Sequence, residues 1–339
     1  MKKYFPILLS KAGELTALSH LSQHVKDEVV PIIQILPNDY DNVETLFSTE
    51  WGFNDNELYL DFSHCTPFDR VRARNLIINL VNAGVNITPV IQNNTAPQYI
   101  SLVQNLITNG QISNVCIRFS NNTGGGFINI NNTLSTLLAS LGVNRNQASI
   151  LLDFGFIENH NYNAIAALAI NIISGINHRN HYSDIIISSG SFLENLSSLT
   201  PAGRLYRLQR YEWDIWLTIQ GQLGMTNIKY SDYGTKYPYY TEANFPGTCS
   251  IRYTLQSEFI VYRGELSKTH PQGNGQYIIF AGQLVRSPDY SGLTFSWGDD
   301  RIDFYARQVL TDPNRKTGNA RSWVEISQNH HITLLHSLL

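Results

Sequence analysis

ASILLDFGFI (148–157) is the stretch on which the fold turns. Apolar side chains occupy both its even and its odd positions, so a strand made from it can show neither face to water. A strand buried on both faces belongs to a parallel sheet with helical crossovers. Runs of the same kind stand on either side: YFPILL (4–9), VVPIIQIL (29–36), ELYLDFS (57–63), NITPVIQ (86–92), NVCIRFS (114–120), DIIISSGSF (184–192) and NIKYSDYG (227–234).

Segments of helical periodicity separate these runs. In FDRVRARNLIINLVNAG, Val71, Leu76, Ile77, Leu80 and Val81 mark one face, and Gly84 supplies the stop. YISLVQNLITNG ends the same way at Gly110, and TLSTLLASLG at Gly142. RLYRLQRYEWDIWL (204–217) reads as the helix crossing from the seventh strand to the eighth, with Arg210, Glu212 and Trp213 near its middle. Eight strands in βα order make an α/β protein of the (β/α)8, TIM-like barrel type. An open doubly wound sheet would carry a glycine-rich phosphate turn after its first strand, and there is none. Gly124–Gly126 lack the GxGxxG spacing and read as a flexible loop.

After the eighth strand the pattern changes. SIRYTL, SEFIVYRGEL, QYIIFAGQLV and FSWGDD read as short strands between turns, and HHITLLHSLL as a short terminal helix. The division expected is therefore 1–238 for strands one to eight and helices one to seven, and 239–327 for a β-rich insertion between strand eight and helix eight. Residues 328–339 would be the helix that completes the barrel. Barrel topology places such an insertion over the strand C-terminal face, as a lid or wall.

A length of 339 residues suits one barrel domain. The net charge of −3 argues against a general nucleic-acid binder. Cys65, Cys116 and Cys249 form no metal-type pair and no disulfide framework, and read as reduced structural thiols. The basic start gives way to Lys11, Glu14 and His20 too early for a signal peptide, and no run reaches the length of a membrane span. A soluble cytoplasmic protein is expected.

Barrels gather residues from strand ends into one basin. Asp61, Asp153 and Asp232 would there bring three carboxylates near Lys11 and Arg118, with Gln34, Gln92, Ser188 and Ser189 beside them. Such a set suits a buried ion network, a divalent-metal site or an acid–base pair. From the insertion, Arg252 and Arg263 would grip phosphate or carboxylate with their planar donor forks. Asn329, His330 and His331 are placed at the start of the last helix, where backbone N–H groups favour an anion. Adjacent helical histidines point about 100° apart, so this pair is not expected to hold one metal. HxH, HExxH, GxSxG and Walker A patterns are absent.

The opening YFPILLSKAGELTALSHLS…VKDEVVPIIQILP resembles the phage and bacterial "beta protein" family, which begins with a Y-x-P-I-L strand, a Lys-x-G-E turn and a P-L-I-E-I second strand. LLDFGFI, RYEWDIW, DYG, FSWGDDRI, GNARSWVEI and NHHIT are similar to that family's later blocks, in the same order, from Tyr4 through Thr333. Gln34 departs from the acid expected in the second strand and removes one carboxylate from the basin. The resemblance implies a context and no reaction: phages and bacterial mobile or defence-type loci, beside a nuclease-like gene. Two expectations follow. One is a barrel component of a phage–bacterium conflict system that binds, and in one version hydrolyses, a phosphorylated or nucleotide-like ligand. The other is a non-catalytic recognition subunit that binds a protein such as a nuclease or a phage protein, through tyrosines such as those between Tyr230 and Tyr240.

Overall fold

The eight apolar runs become eight parallel strands. A computed structural model describes residues 4–51, 56–92, 94–120, 126–241 and 248–339; Gly124 and Gly125 of the glycine loop lie outside the described residues. The strands in chain order begin with β1 Ile7–Leu9, β2 Ile32–Gln34, β3 Glu57–Asp61, β4 Asn86–Gln92 and β5 Val115–Ser120. Then come β6 Ala148–Phe156, β7 Ile185–Gly190, β8 Arg204–Gln209, β9 Ile228–Ser231, β10 Ile251–Thr254 and β11 Glu258–Arg263. The first helices are α1 Ala12–Ser19, α2 Gln23–Glu28, α3 Tyr40–Glu50, α4 Arg70–Asn82, α5 Pro97–Thr108 and α6 Ile130–Leu141. The rest are α7 Tyr162–Gly175, α8 Tyr211–Leu223, α9 Gln276–Leu284, α10 Trp297–Ala306 and α11 Ala320–Leu338.

One sheet runs β1-β2-β3-β4-β5-β6-β7-β9 in sequential order. It closes on itself where Phe5 N donates to Tyr230 O at 3.0 Å and Ile7 N to Asp232 O at 2.8 Å. Sequential order with closure is a TIM-like barrel and excludes the open sheet. Phe5, Ile7, Val30, Ile32, Tyr59, Val90, Cys116, Leu151, Ile186 and Tyr233 fill the interior as one apolar cluster. Because strand side chains alternate, that list also tells which other positions point inward. On the outside, α4 buries Ala73, Leu76, Ile77 and Leu80 after the Asp69 carboxylate accepts from Arg72 N at its start. Val71, expected on that face, is instead 68% exposed. Gly142 ends α6 in the left-handed region at φ 70°, the conformation that lets an amide turn back onto the last carbonyls.

The chain forms two compact units. The barrel unit comprises Met1–Lys11, Lys26–Gly190 and Tyr211–Tyr233; the second comprises Ala12–Val25, Ser191–Arg210 and Gly234–Leu339. In the second unit β10, β11 and β8 make an antiparallel sheet in the order β10-β11-β8. Its core joins Ile251, Tyr253, Ile260 and Tyr262 to Tyr277, Leu284, Ile302, Trp323 and Ile326 of α9, α10 and α11.

Three local readings of the sequence are corrected. Residues 204–217 are a strand followed by a helix, because Arg204–Gln209 pairs along its whole length with β11. Residues 276–284 and 297–306 are helices and not strands: a short apolar run does not distinguish the two, and packing on α11 decides it. The last helix begins at Ala320, capped by Asn319, so His330 and His331 lie in its interior and the anion site expected at a helix start is not theirs.

Candidate ligand site at the strand ends

Two residues beyond the apolar barrel layer, the inward positions of β2 to β7 are polar, and Ser231 joins them on β9, while β1 contributes Leu9. Register aligns them around the barrel: Gln34 beside Asp61, Gln92 beside Arg118, Asp153 beside Ser188, and Ser188 beside Ser231. All seven are buried. They follow directly from alternation, since each lies two residues beyond a member of the apolar layer or continues its parity.

Arg118 organises this collar. Its Nε and Nη2 donate to Asp153 Oδ2 at 3.2 and 2.6 Å, its Nη1 donates to Asp61 Oδ2, and Nη2 reaches Tyr233 Oη at 3.1 Å. Burial opposes the guanidinium charge, but Asp153, Tyr233 and Asp61 outweigh it and hold Arg118 well above its ordinary pKa. The other oxygens of the two acids are taken as well: Ser63 N donates to Asp61 Oδ1 at 2.9 Å, and Gly155 N to Asp153 Oδ1 at 3.0 Å. His64 stands beside the pair. Burial pushes its imidazole below the usual range; the Asp61 charge opposes this and the Arg118 charge adds to it. His64 is therefore a neutral ring at pH 7. The Ser188 and Ser231 hydroxyls, buried in the same layer, have no hydrogen-bond partner among the described residues.

Asp61, Arg118, Asp153, Gln34 and Ser188 are thus brought together as expected, and Asp232 is not. Asp232 sits at the outward parity of β9, where its carboxylate accepts from Tyr4 Oη at 2.6 Å and Tyr230 Oη at 2.9 Å. The Tyr230 ring packs on Trp213 and Trp216 of α8, the helix layer outside the barrel. Its neighbour Tyr233 faces in. Lys11 is exposed at the end of β1. Tyr233 and His64 are the members that sequence reasoning missed. The parity set by Lys229, Ser231 and Tyr233 would have found the first; His64 lies in a strand-to-helix loop with no motif to mark it. With a guanidinium between Asp61 and Asp153, the place a divalent metal would take is already filled by a cation, and the three-carboxylate metal reading loses both its third ligand and its centre.

The second unit uses its histidines structurally. His330 Nδ1 contacts Asp299 Oδ2 at 2.8 Å and its Nε2 faces Thr254 O at 2.9 Å, while the ring stacks on Tyr253 at 3.9 Å. Asp299 also accepts from Tyr253 Oη at 2.8 Å and Ser296 Oγ at 2.5 Å. Gly298 N donates to Asn329 Oδ1 at 2.9 Å, and a Cβ at Gly298 would stand 2.5 Å from Ile326 O. The segments FSWGDDRI and NHHIT are therefore the two sides of one helix contact. His331 Nδ1 meets Thr254 Oγ1 at 2.9 Å. Arg252 and Arg263 lie half-buried on β10 and β11.

The geometry defines a (β/α)8-barrel protein with an arginine-centred polar collar, joined in one chain to a smaller α+β unit. The family model described as Beta protein matches residues 4–336, and the chain belongs to that family. No curated protein matches the chain. Among solved structures it is similar to a type I 3-dehydroquinate dehydratase from Clostridium difficile, at 14% identity and TM-score 0.40, over 71% of this chain and 88% of that one. It is also similar to an endo-β-1,3-glucanase from Amycolatopsis mediterranei, at 11% identity and TM-score 0.33, over 59% of this chain and 91% of that one. Among the described residues no helix is long and apolar enough to cross a membrane.

Proposed function

We propose that the barrel is a ligand-binding component of a phage–bacterium conflict system, and that its collar takes an uncharged, hydroxyl-rich head group of the nucleoside kind. The observation that carries this reading is the pair of buried hydroxyls of Ser188 and Ser231, without a partner among the described residues and set beside an Arg118 already locked in place by two acids. Buried polar groups are as a rule satisfied, and a preorganised charge network beside two unsatisfied hydroxyls suits a hydrogen-bonding guest. Two carboxylates share one guanidinium, leaving a net negative charge that disfavours bare phosphate at this spot. Hydrolysis is not part of the proposal. Asp61 and Asp153 are each committed to Arg118 through one oxygen and to a backbone N–H through the other, and Asp232 faces the helix layer, roles of positioning and stability.

The partner-binding alternative leads to the expectation of a contiguous apolar patch. Leu205, Leu293 and Val309 are exposed apolar side chains of the second unit, and truncating them is the matching test of that alternative. Thermal denaturation against a panel of nucleosides and sugars tests the proposal. A binder should raise the melting temperature of the wild type, and the S188A/S231A variant should bind it about tenfold more weakly, the scale of one or two lost hydrogen bonds. A panel without effect on the wild type, together with full anti-phage activity of S188A/S231A, would refute it.

A further inference from the structure

The three-stranded sheet of the second unit carries positive charge on one face with no balancing carboxylate among the described residues. Arg263 of β11 stands directly opposite Arg204 of β8, and Arg252 of β10 opposite Val261 of β11. Alternation puts Arg204, Arg252 and Arg263 on the same face as Val261 and Phe259, away from the helix-covered face of Ile260 and Tyr262. Arg252 is diagonal to Arg263, a spacing of about 7–8 Å that long side chains span easily.

Like charges directly opposite on a sheet oppose its formation unless a counter-charge is present. The opposite face shows the ordinary solution: Arg207 meets Glu258 at 2.7 Å and Asp289 at 2.5 Å. Among the described residues no carboxylate stands in ion-pair contact with Arg204, Arg252 or Arg263. Arg252 donates through Nη1 to the carbonyl of Thr235 at 2.7 Å and lies over the Phe192 ring at 4.6 Å, neither of which neutralises it. The Nε of Arg263 is buried and has no acceptor. Burial pulls Arg252 down to about 10, the mark of a desolvated cation lacking an acid. Arg204 is exposed, so the face is open to solvent at that edge.

We infer that Arg204, Arg252 and Arg263 form a phosphate-binding site, for inorganic phosphate or the phosphate of a small ester. Guanidinium forks match phosphate oxygens in pairs, and a dianion would offset the repulsion between the two facing arginines. This site is independent of the barrel collar.

The test is titration with inorganic phosphate, read by melting temperature and by phosphorus NMR line width, against sodium chloride at equal ionic strength. Phosphate should raise the wild-type melting temperature by roughly 3–6 °C at saturation, and chloride should not. R204Q/R263Q should lose that rise, and R207Q on the other face should keep it. Should the double variant fail to fold, R204Q alone, at an exposed position, should bind phosphate at least about fivefold more weakly, by loss of one charge-assisted contact. S188A/S231A should respond as the wild type does, which separates this site from the collar. Equal effects of phosphate and chloride on the wild type, or an undiminished rise in R204Q, would overturn the inference. So would tight binding of an oligonucleotide without any response to inorganic phosphate.

Discussion

Each unit buries a charged constellation, and the two are finished to different degrees. Around His330 each ring nitrogen meets an acceptor, both Asp299 oxygens are engaged, and Gly298 lets the helices approach so closely that no Cβ fits. Around Arg118 the charges are held just as firmly, yet Ser188 and Ser231 in the same layer have no partner among the described residues. A network with every valence used stabilises its own fold. One that holds its charges rigid beside unsatisfied hydroxyls suits the ligand role proposed for the collar.

The comparison breaks first at Asp299. D299A leaves the buried His330 without its acid and should cost about 3–5 kcal/mol, the scale for breaking a buried pair. Urea unfolding followed by the fluorescence of Trp297 and Trp323 would measure it, and a loss under about 1 kcal/mol would remove the structural half of the argument. A partly buried acid elsewhere in the barrel unit sharpens the contrast. Burial raises Asp184 to about 7, an effect that Lys229 at 3.9 Å only partly offsets. A carboxyl raised above its unfolded value stabilises the fold most below pH 4, and that contribution fades as pH climbs through 7. D184N should flatten this slope and, at pH 8, unfold at higher urea than the wild type, by on the order of 2 kcal/mol.

Asp232 separates stability from binding. D232N weakens the bonds from Tyr4 and Tyr230 and should cost about 1–3 kcal/mol without altering affinity for a collar ligand, since it faces the helices. A tenfold loss of affinity would put Asp232 back into the site. The smallest effect belongs to the hydroxyls: S188A and S231A should each stay within about 0.5 kcal/mol of the wild type in urea, because no described residue hydrogen-bonds to them. A larger loss would reveal an internal partner and equate the two networks.

Much of the barrel could be read from the chain, because a doubly buried strand has no alternative home: VCIRFS and ASILLDFGFI announce it. Asp61, Arg118 and Asp153 were legible as a group for the same reason, each being a polar residue near the end of such a run. Asp232 was misread because β9 is only four residues long and the parity of the residues beyond it is fixed by its pairing, which the sequence does not display. The second unit was harder. QYIIFAGQL has the apolar density of a strand, and only its contact with Tyr262 and Trp323 makes it a helix. His330 looked like a ligand contact because Asp299, its partner, lies 31 residues away on another helix.

The most direct test is a high-resolution crystal structure with the nucleoside or sugar that raises the melting temperature most. The account predicts ligand atoms within hydrogen-bond distance of Ser188 Oγ and Ser231 Oγ, with Arg118 still joined to Asp61 and Asp153. A ligand seated elsewhere, with those two hydroxyls satisfied by the protein's own groups, would contradict it.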